Sequence, residues 1–300
     1  NNKRRLFSTV LCVAALTAGL FVSGCGSDKA GGIGSVVSSV VDGGDEKAAA
    51  KLNTLIDATN RFNSDNASFA EFQAEGLAKL KGGFAEGAIT NQPHFDRLQA
   101  DLEKSKKEGS TFKDLDAERD NLLNILNELV PVYKDLTAYD DSKAYMNDGG
   151  AKGKELAAKY VAAVEKFDVA YAKFNETLNK VNAEQSKKQI EKLKKDGKKG
   201  YAAAMESTLR LTELVDKLEK APQNADKAAV EKELSEIEAL LKSINNDRGQ
   251  VLTESYNSVV GDVRQVLADP SDNNLNNMIE GFNGYIDTYN STTPDQFDAK

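Results

Sequence analysis

Cys25 is the residue whose type and setting most directly imply chemistry. A thiol can pair with another thiol, bind a metal, attack an electrophile or carry a covalent modification. The other cysteine, Cys12, lies inside an apolar run from Leu6 to Val22. If that run is removed as an export leader, Cys25 is the single cysteine of the remaining chain. An intramolecular disulfide is then excluded, and the thiol must serve another purpose. His94 is the single histidine, so neither a histidine-based triad nor a multi-histidine metal site can be built, and a solvated loop position is expected for it. Asp140, Asp141 and Asp148 form one carboxylate group, and Asp269 with Asp272 another. Neither has the alternating oxygens and central glycine of a calcium loop, so turn and helix-cap roles are expected.

Other residues offer less. Seven lysines, at 187, 188, 192, 194, 195, 198 and 199, could meet an anionic headgroup or a phosphorylated glycan, but they read first as a solvated helix surface. Gly31-Gly32-Ile33-Gly34 lacks the strand and helix that flank a phosphate-binding loop. Tyr160, Phe167, Tyr171 and Phe174 recur at core spacing and are read as packing. No catalytic residue, metal or cofactor is predicted.

The setting of Cys25 is more informative. Lys3, Arg4 and Arg5 precede the apolar run, and Val22, Ser23 and Gly24 lead into the cysteine. A basic start, a short apolar stretch and small residues before a cut are the pattern of an export signal. Val22-Ser23-Gly24-Cys25 resembles the bacterial lipobox. That resemblance implies diacylglyceryl transfer to the Cys25 sulfur, cleavage before it, and acylation of the new amine. One acyl chain holds a protein only marginally, at about 0.8 kcal/mol per buried methylene, whereas two or three hold it stably. Gly26 follows the cysteine where an aspartate commonly marks inner-membrane retention, so the outer membrane, facing the periplasm, is predicted. Residues 26–44 are rich in Gly, Ser and Asp and read as a tether with a reach of roughly 25 Å. Ile33, Val36, Val37, Val40 and Val41 form a small apolar patch within it.

Charge narrows the partners. The full chain carries −8. Losing Lys3, Arg4 and Arg5 with the leader leaves 36 basic against 47 acidic residues, a net charge of −11. Nucleic acid is therefore not expected, because phosphate binding needs a basic surface.

The elements that must carry these residues read as helices. Trp is absent, and Ala, Lys, Leu, Glu, Asp and Asn dominate, a composition that favours helix over strand. A helical period runs from Lys47 to about Leu80, broken only around Asn66 and Gly76, and Lys81-Gly82-Gly83 can end it. Further segments are predicted over about 93–107, 114–139 (with Pro131 expected to kink it), 226–244, 250–267 and 274–289. The clearest stripe is Ala157, Tyr160, Val164, Phe167, Tyr171, Phe174, Leu178, Val181 and Gln185, close to a heptad. Its helix is read as able to continue past Gly197 and Gly200 as far as Ala221-Pro222. No alternating strand pattern of useful length is present. The fold class predicted is all-α, an elongated antiparallel helical bundle with long helices. The organisation is a leader over 1–24, a lipidated cysteine and tether over 25–44, a helical domain over 45–291 and a tail over 292–300.

One internal echo stands out. Asn53, Ile56, Asp57 and Asn60 are matched at the same spacing by Asn283, Ile286, Asp287 and Asn290. Positions i, i+3, i+4 and i+7 share a helix face. The pairing suggests a polar face between the first and last helices, either a cleft or, preferred, a hydrogen-bonded packing seam.

Three stretches of the body carry a family likeness. They are Lys51-Leu52-Asn53 through Asn60; Tyr139-Asp140-Asp141 with Lys152-Gly153-Lys154; and Phe282-Asn283 through Tyr285-Ile286-Asp287 to Tyr289-Asn290-Ser291. In these the chain resembles the YiiG-like bacterial lipoproteins, a domain family of unknown function, over residues 47–291. The resemblance implies a leader, lipobox, tether and helical domain in that order, and it brings no catalytic residues. The expectation is a non-enzymatic, membrane-anchored binding or scaffold protein whose partner is an envelope protein or polymer. A carrier of a small apolar ligand is the alternative, and would need a pocket of a few hundred Å³. An envelope hydrolase would need two carboxyl groups converging at roughly 5–10 Å.

Overall fold

The computed structural model describes residues 43–67, 69–109 and 111–299. The leader, Val22-Ser23-Gly24-Cys25 and the tether as far as residue 42 lie outside the described residues. The helices are α1 (Gly43–Ala67), α2 (Ala70–Lys81), α3 (Phe95–Lys107), α4 (Lys113–Asp141), α5 (Tyr145–Asp148), α6 (Ala151–Lys195), α7 (Lys199–Lys220), α8 (Lys227–Lys242), α9 (Asp247–Ala268), α10 (Asp272–Asn290) and α11 (Pro294–Phe297). No strand occurs among the described residues. The all-α class holds, and the reason is compositional: helix formers fill the sequence and the apolar residues recur at helical spacing.

The described residues divide into two compact units, one of residues 54–181 and the other of residues 43–53 with 182–299. In the first unit α1, α3, α4 and the start of α6 alternate in direction. Arg61 pairs with Asp101 and Asp65 with Arg97, so numbers rise on α1 as they fall on α3. Gln99 bonds Asn127 and Lys106 pairs with Asp120; Glu118 pairs with Lys173 and Glu128 with Lys166. Each set descends in the same way, which makes successive long helices antiparallel. Of the α4 positions whose helical spacing points inward, Leu115, Leu122, Leu126, Leu129 and Leu136 are fully enclosed, whereas Tyr133 is half-buried. The helix runs through Pro131 without ending.

In the second unit α7, α8, α9 and α10 form the corresponding bundle. Arg264 on α9 bonds Glu231 while the Tyr256 hydroxyl donates to the Leu234 carbonyl, again a falling register. Starts are set by caps. Asp226 accepts from the amides of Ala228 and Ala229, and Asn246 from those of Arg248 and Gly249. Ser271 accepts from Asn274. Such side chains satisfy the orphan amides of a first helical turn. They also place the starts of α9 and α10 two or three residues ahead of the apolar periodicity.

Two boundaries differ from the sequence reading: the run from Lys47 to about Leu80 divides into α1 and α2 after Ala67, and the clearest helix stops early. The continuation of the clearest helix past Gly197 does not occur. Gly197 takes φ +77°, a left-handed conformation that glycine enters without steric cost, and α6 stops at Lys195. The chain then turns back, and Lys187–Glu213 and Lys194–Glu206 pairs bind α7 antiparallel to the end of α6. The stripe also changes character before that stop. Beyond Leu178 the buried positions are Asn182, Ser186, Ile190 and Leu193 rather than Val181 and Gln185.

The tail over 292–300 carries α11 and docks on the second unit. The Phe297 ring, 2 % exposed, stacks on Tyr201 and on Tyr289. The Asp298 carboxylate accepts from the Gly200 and Tyr201 amides at the start of α7, and the Asn246 amide donates to the Gln296, Phe297 and Ala299 carbonyls. Phe297→Ala should therefore lower the stability of this unit by about 3–5 kcal/mol, the usual cost of emptying a phenylalanine site. Asp295→Ala, at an exposed residue of the same short helix, should change it by no more than about 0.5 kcal/mol. Urea unfolding followed by circular dichroism checks both.

Candidate functional site

The interior of the first unit is built from rings. Phe62 of α1, Phe95 of α3, and Phe167 and Tyr171 of α6 have centroids 4.9–6.0 Å apart across their contacts. Edge-to-face and offset contacts of this kind add to simple burial. The aromatic residues read as packing are indeed packing: Tyr160, Phe167 and Phe174 are wholly buried. Their polar ends are satisfied locally. The Tyr171 hydroxyl donates to Asn63, and the Tyr160 hydroxyl to Gln92.

A different environment lies at the end of this unit where α4 finishes and α6 begins. Phe84, Tyr139 and Tyr145 form a ring cluster, with centroids 5.1 Å apart for Phe84–Tyr139 and 5.3 Å for Phe84–Tyr145. Gly153 permits this packing, since a Cβ there would fall 2.5 Å from Tyr139 and 2.6 Å from Phe84. Four carboxylates surround the rings. The Tyr139 hydroxyl donates to Asp148 at 2.6 Å, and Asp148 also accepts from the Gly150 and Lys152 amides, which cap the start of α6. The Tyr139 hydrogen bond holds the Asp148 carboxyl below the ordinary carboxylate range. Tyr145 bonds Glu86, which together with burial pushes its hydroxyl up to about 12. Asp140 is 8 % exposed. One of its oxygens accepts from the Gly87 amide at 2.9 Å, and the other, Oδ1, is buried with no hydrogen-bond partner. Burial raises its carboxyl, the Gly87 amide opposes that, and Glu86 and Asp141 add to it. Asp148 thus takes the expected cap role, whereas Asp140 does not. A capping residue is usually solvated, and sequence spacing carries no signal for a buried carboxylate.

The remaining sequence candidates have structural settings. His94 is exposed at the start of α3, beside a niche of about 10 Å³ lined also by Arg61, Asp65, Arg97 and Asp101. That is room for one water, and the four charges are cross-paired. Of the seven lysines, Lys187, Lys194 and Lys198 are engaged with Glu213, Glu206 and Asp295. Asp269 accepts from the Asn274 amide across the turn into α10. In the echoed stripes Ile56 and Ile286 are core residues, 0 % and 1 % exposed. Asn53 is buried, Asp57, Asn60, Asn283 and Asn290 are half-buried, and Asp287 is exposed. The division between units falls at Asn53–Thr54, so Asn53 belongs with Asn283, Asp287 and Asn290, and Asp57 and Asn60 with the first unit. Burial raises the carboxyls of Asp57 and Asp287, with Arg61 lowering the former. The two isoleucines anchor each stripe in a core and the polar residues flank it.

The fold and its settings define an all-α protein of antiparallel helical bundles. The chain belongs to the family described as "Protein of unknown function (DUF3829)", whose model matches residues 46–280. No curated protein and no solved structure matches it.

One carboxyl absent from the sequence reading is Asp168. It is half-buried on α6, and burial, aided by Glu165 and opposed by Lys81, raises it to about 7. A carboxyl whose folded pKa exceeds its unfolded value keeps its proton longer in the native state. The contribution of this group to stability should then be fullest below about pH 4, fall as pH rises toward 7, and be flat above that. Asp168→Asn, which mimics the protonated form, should remove this slope and raise Tm at pH 8. Thermal unfolding between pH 4 and pH 8 checks it.

Proposed function

We propose that this protein is a lipid-anchored component of a bacterial cell envelope, with a non-enzymatic helical binding or scaffold domain. The observation that carries the reading is the placement of Val22-Ser23-Gly24-Cys25 directly after a basic start and an apolar run, with no further cysteine downstream. A leader that is cut before a cysteine, and a cysteine with nothing else to do, have one economical explanation in acylation of the sulfur. The likeness to the YiiG-like lipoproteins supports the same arrangement.

A net charge of −11 after cleavage keeps the folded body from lying on anionic lipid, so acyl chains supply the membrane affinity. No described helix is long and apolar enough to cross a membrane. Gly26 after the cysteine supports the outer membrane, with the body in the periplasm. The ring-filled interior of the first unit supports a scaffold over a carrier in that unit, because its interlocked side chains occupy the space a small apolar ligand would take.

Labelling cells with radioactive palmitate tests the anchor. The wild-type chain should incorporate label and fractionate with membranes. Cys25→Ala should incorporate none and accumulate as the uncut precursor. Label retained by Cys25→Ala would overturn the reading.

A further inference from the structure

We infer that the aromatic and acidic cluster at the end of α4 is a binding site for a primary ammonium group, with the Asp140 Oδ1 atom as its hydrogen-bond acceptor. This deepens the binding reading above and is independent of how the chain is anchored.

Three observations converge. The first is an orphaned oxygen. Asp140 is 8 % exposed, its Oδ2 accepts from the Gly87 amide, and its Oδ1 is buried without any partner. A buried carboxylate oxygen with nothing to accept is left with its desolvation cost uncompensated, and native proteins rarely leave one uncovered. The second is an excess of negative potential. Glu86 and Asp141 adjoin Asp140 closely enough to raise its carboxyl. Both aspartates also occupy the last turn of α4, where the helix dipole already disfavours an anion and favours a cation. The third is the rings. Phe84 and Tyr145 are only half-buried, and Asp140 is near enough to Tyr145 to influence its hydroxyl. Aromatic faces beside carboxylates are the usual surroundings of a bound ammonium.

The chemistry of the cluster discriminates between cations. Among the described residues no three of His, Cys, Asp and Glu come together as metal ligands, so a divalent ion lacks its donor set. A primary ammonium needs less: one N–H for Oδ1, a second carboxylate such as Glu86 for its charge, and a ring for its carbon. No lysine among the described residues fills the role in this structure, because Oδ1 has no hydrogen-bond partner. Because Oδ1 is enclosed in this structure, entry requires neighbouring side chains to move. A lysine side chain of a partner and a small free amine would present the same group.

Thermal unfolding of the full chain in detergent tests this, with methylammonium chloride compared against sodium chloride at equal ionic strength. Methylammonium should raise Tm by about 2–4 °C over sodium, the shift expected of a ligand that binds only the folded form. Tetramethylammonium has no N–H to give Oδ1 and should raise it less. Asp140→Asn should abolish the methylammonium increment, as should Glu86→Gln in part, while Glu71→Gln on the exposed face of α2 should keep it. Acetyl-lysine amide exceeding methylammonium would identify a lysyl side chain as the source, and equal shifts a small amine. Equal Tm values in methylammonium and sodium would overturn the inference. So would an undiminished increment in a folded Asp140→Asn and in Glu86→Gln, or a calcium shift as large as that of methylammonium.

Discussion

A helix with a narrow apolar stripe cannot stay folded alone, because the stripe must be removed from water and no single helix can do that. Everything described in this chain follows from how the stripes are closed against each other. Fully burying a leucine or phenylalanine contributes about 1.5–3 kcal/mol, and most of the long helices offer several such residues per face. In the first unit the closure is aromatic, centred on Phe62, Phe95 and Phe167. In the second it is largely aliphatic, through Leu211, Val215, Ile237, Leu241, Val259 and Val263, with Tyr256, Phe282 and Tyr285 among them. Short connections then force neighbouring helices to run in opposite directions, and surface ion pairs record that register more than they stabilise it.

The helices were legible because their signal is repeated many times. Leu115 through Leu136 on α4, and Ala157 through Leu178 on α6, each state the same face five or more times. What the periodicity did not carry is where a face turns polar or a chain turns back. Asn182 and Ser186 hold core positions on α6 that an apolar pattern skips. Gly197 ends α6 by its backbone conformation, while its neighbours retain helical composition. The caps Asn246 and Ser271 lie outside the apolar stripe, so they moved two starts by a few residues. The docking of Phe297 was invisible for the same reason: a four-residue helix has no period to read.

The candidate site was legible only in part. Asp140, Asp141 and Asp148 stand out in the sequence as a group, and the cap role expected of such residues holds at Asp148. Sequence does not connect Phe84 and Glu86 to them, because more than fifty residues separate these from Tyr139 and Asp140, and nothing in the spacing of Tyr145 marks it as their neighbour in the cluster. Nor does any sequence feature say that one carboxylate oxygen of Asp140 is enclosed while its neighbour's side chain is exposed. Asp168 illustrates the same limit, its proton affinity being set by enclosure beside Lys81 and Glu165. By contrast, the motif around Cys25 is read from adjacent residues alone.

The helical body is what the structure shows; the acylated cysteine that would hold it at a bilayer is proposed. The second decides the biology, and the intact mass of the native protein extracted from membranes measures it most directly. The account predicts a chain that begins at Cys25 and is heavier than its amino acids by two or three acyl chains with a glyceryl group. A chain that begins upstream of Cys25, or one that begins there with no added mass, would contradict it.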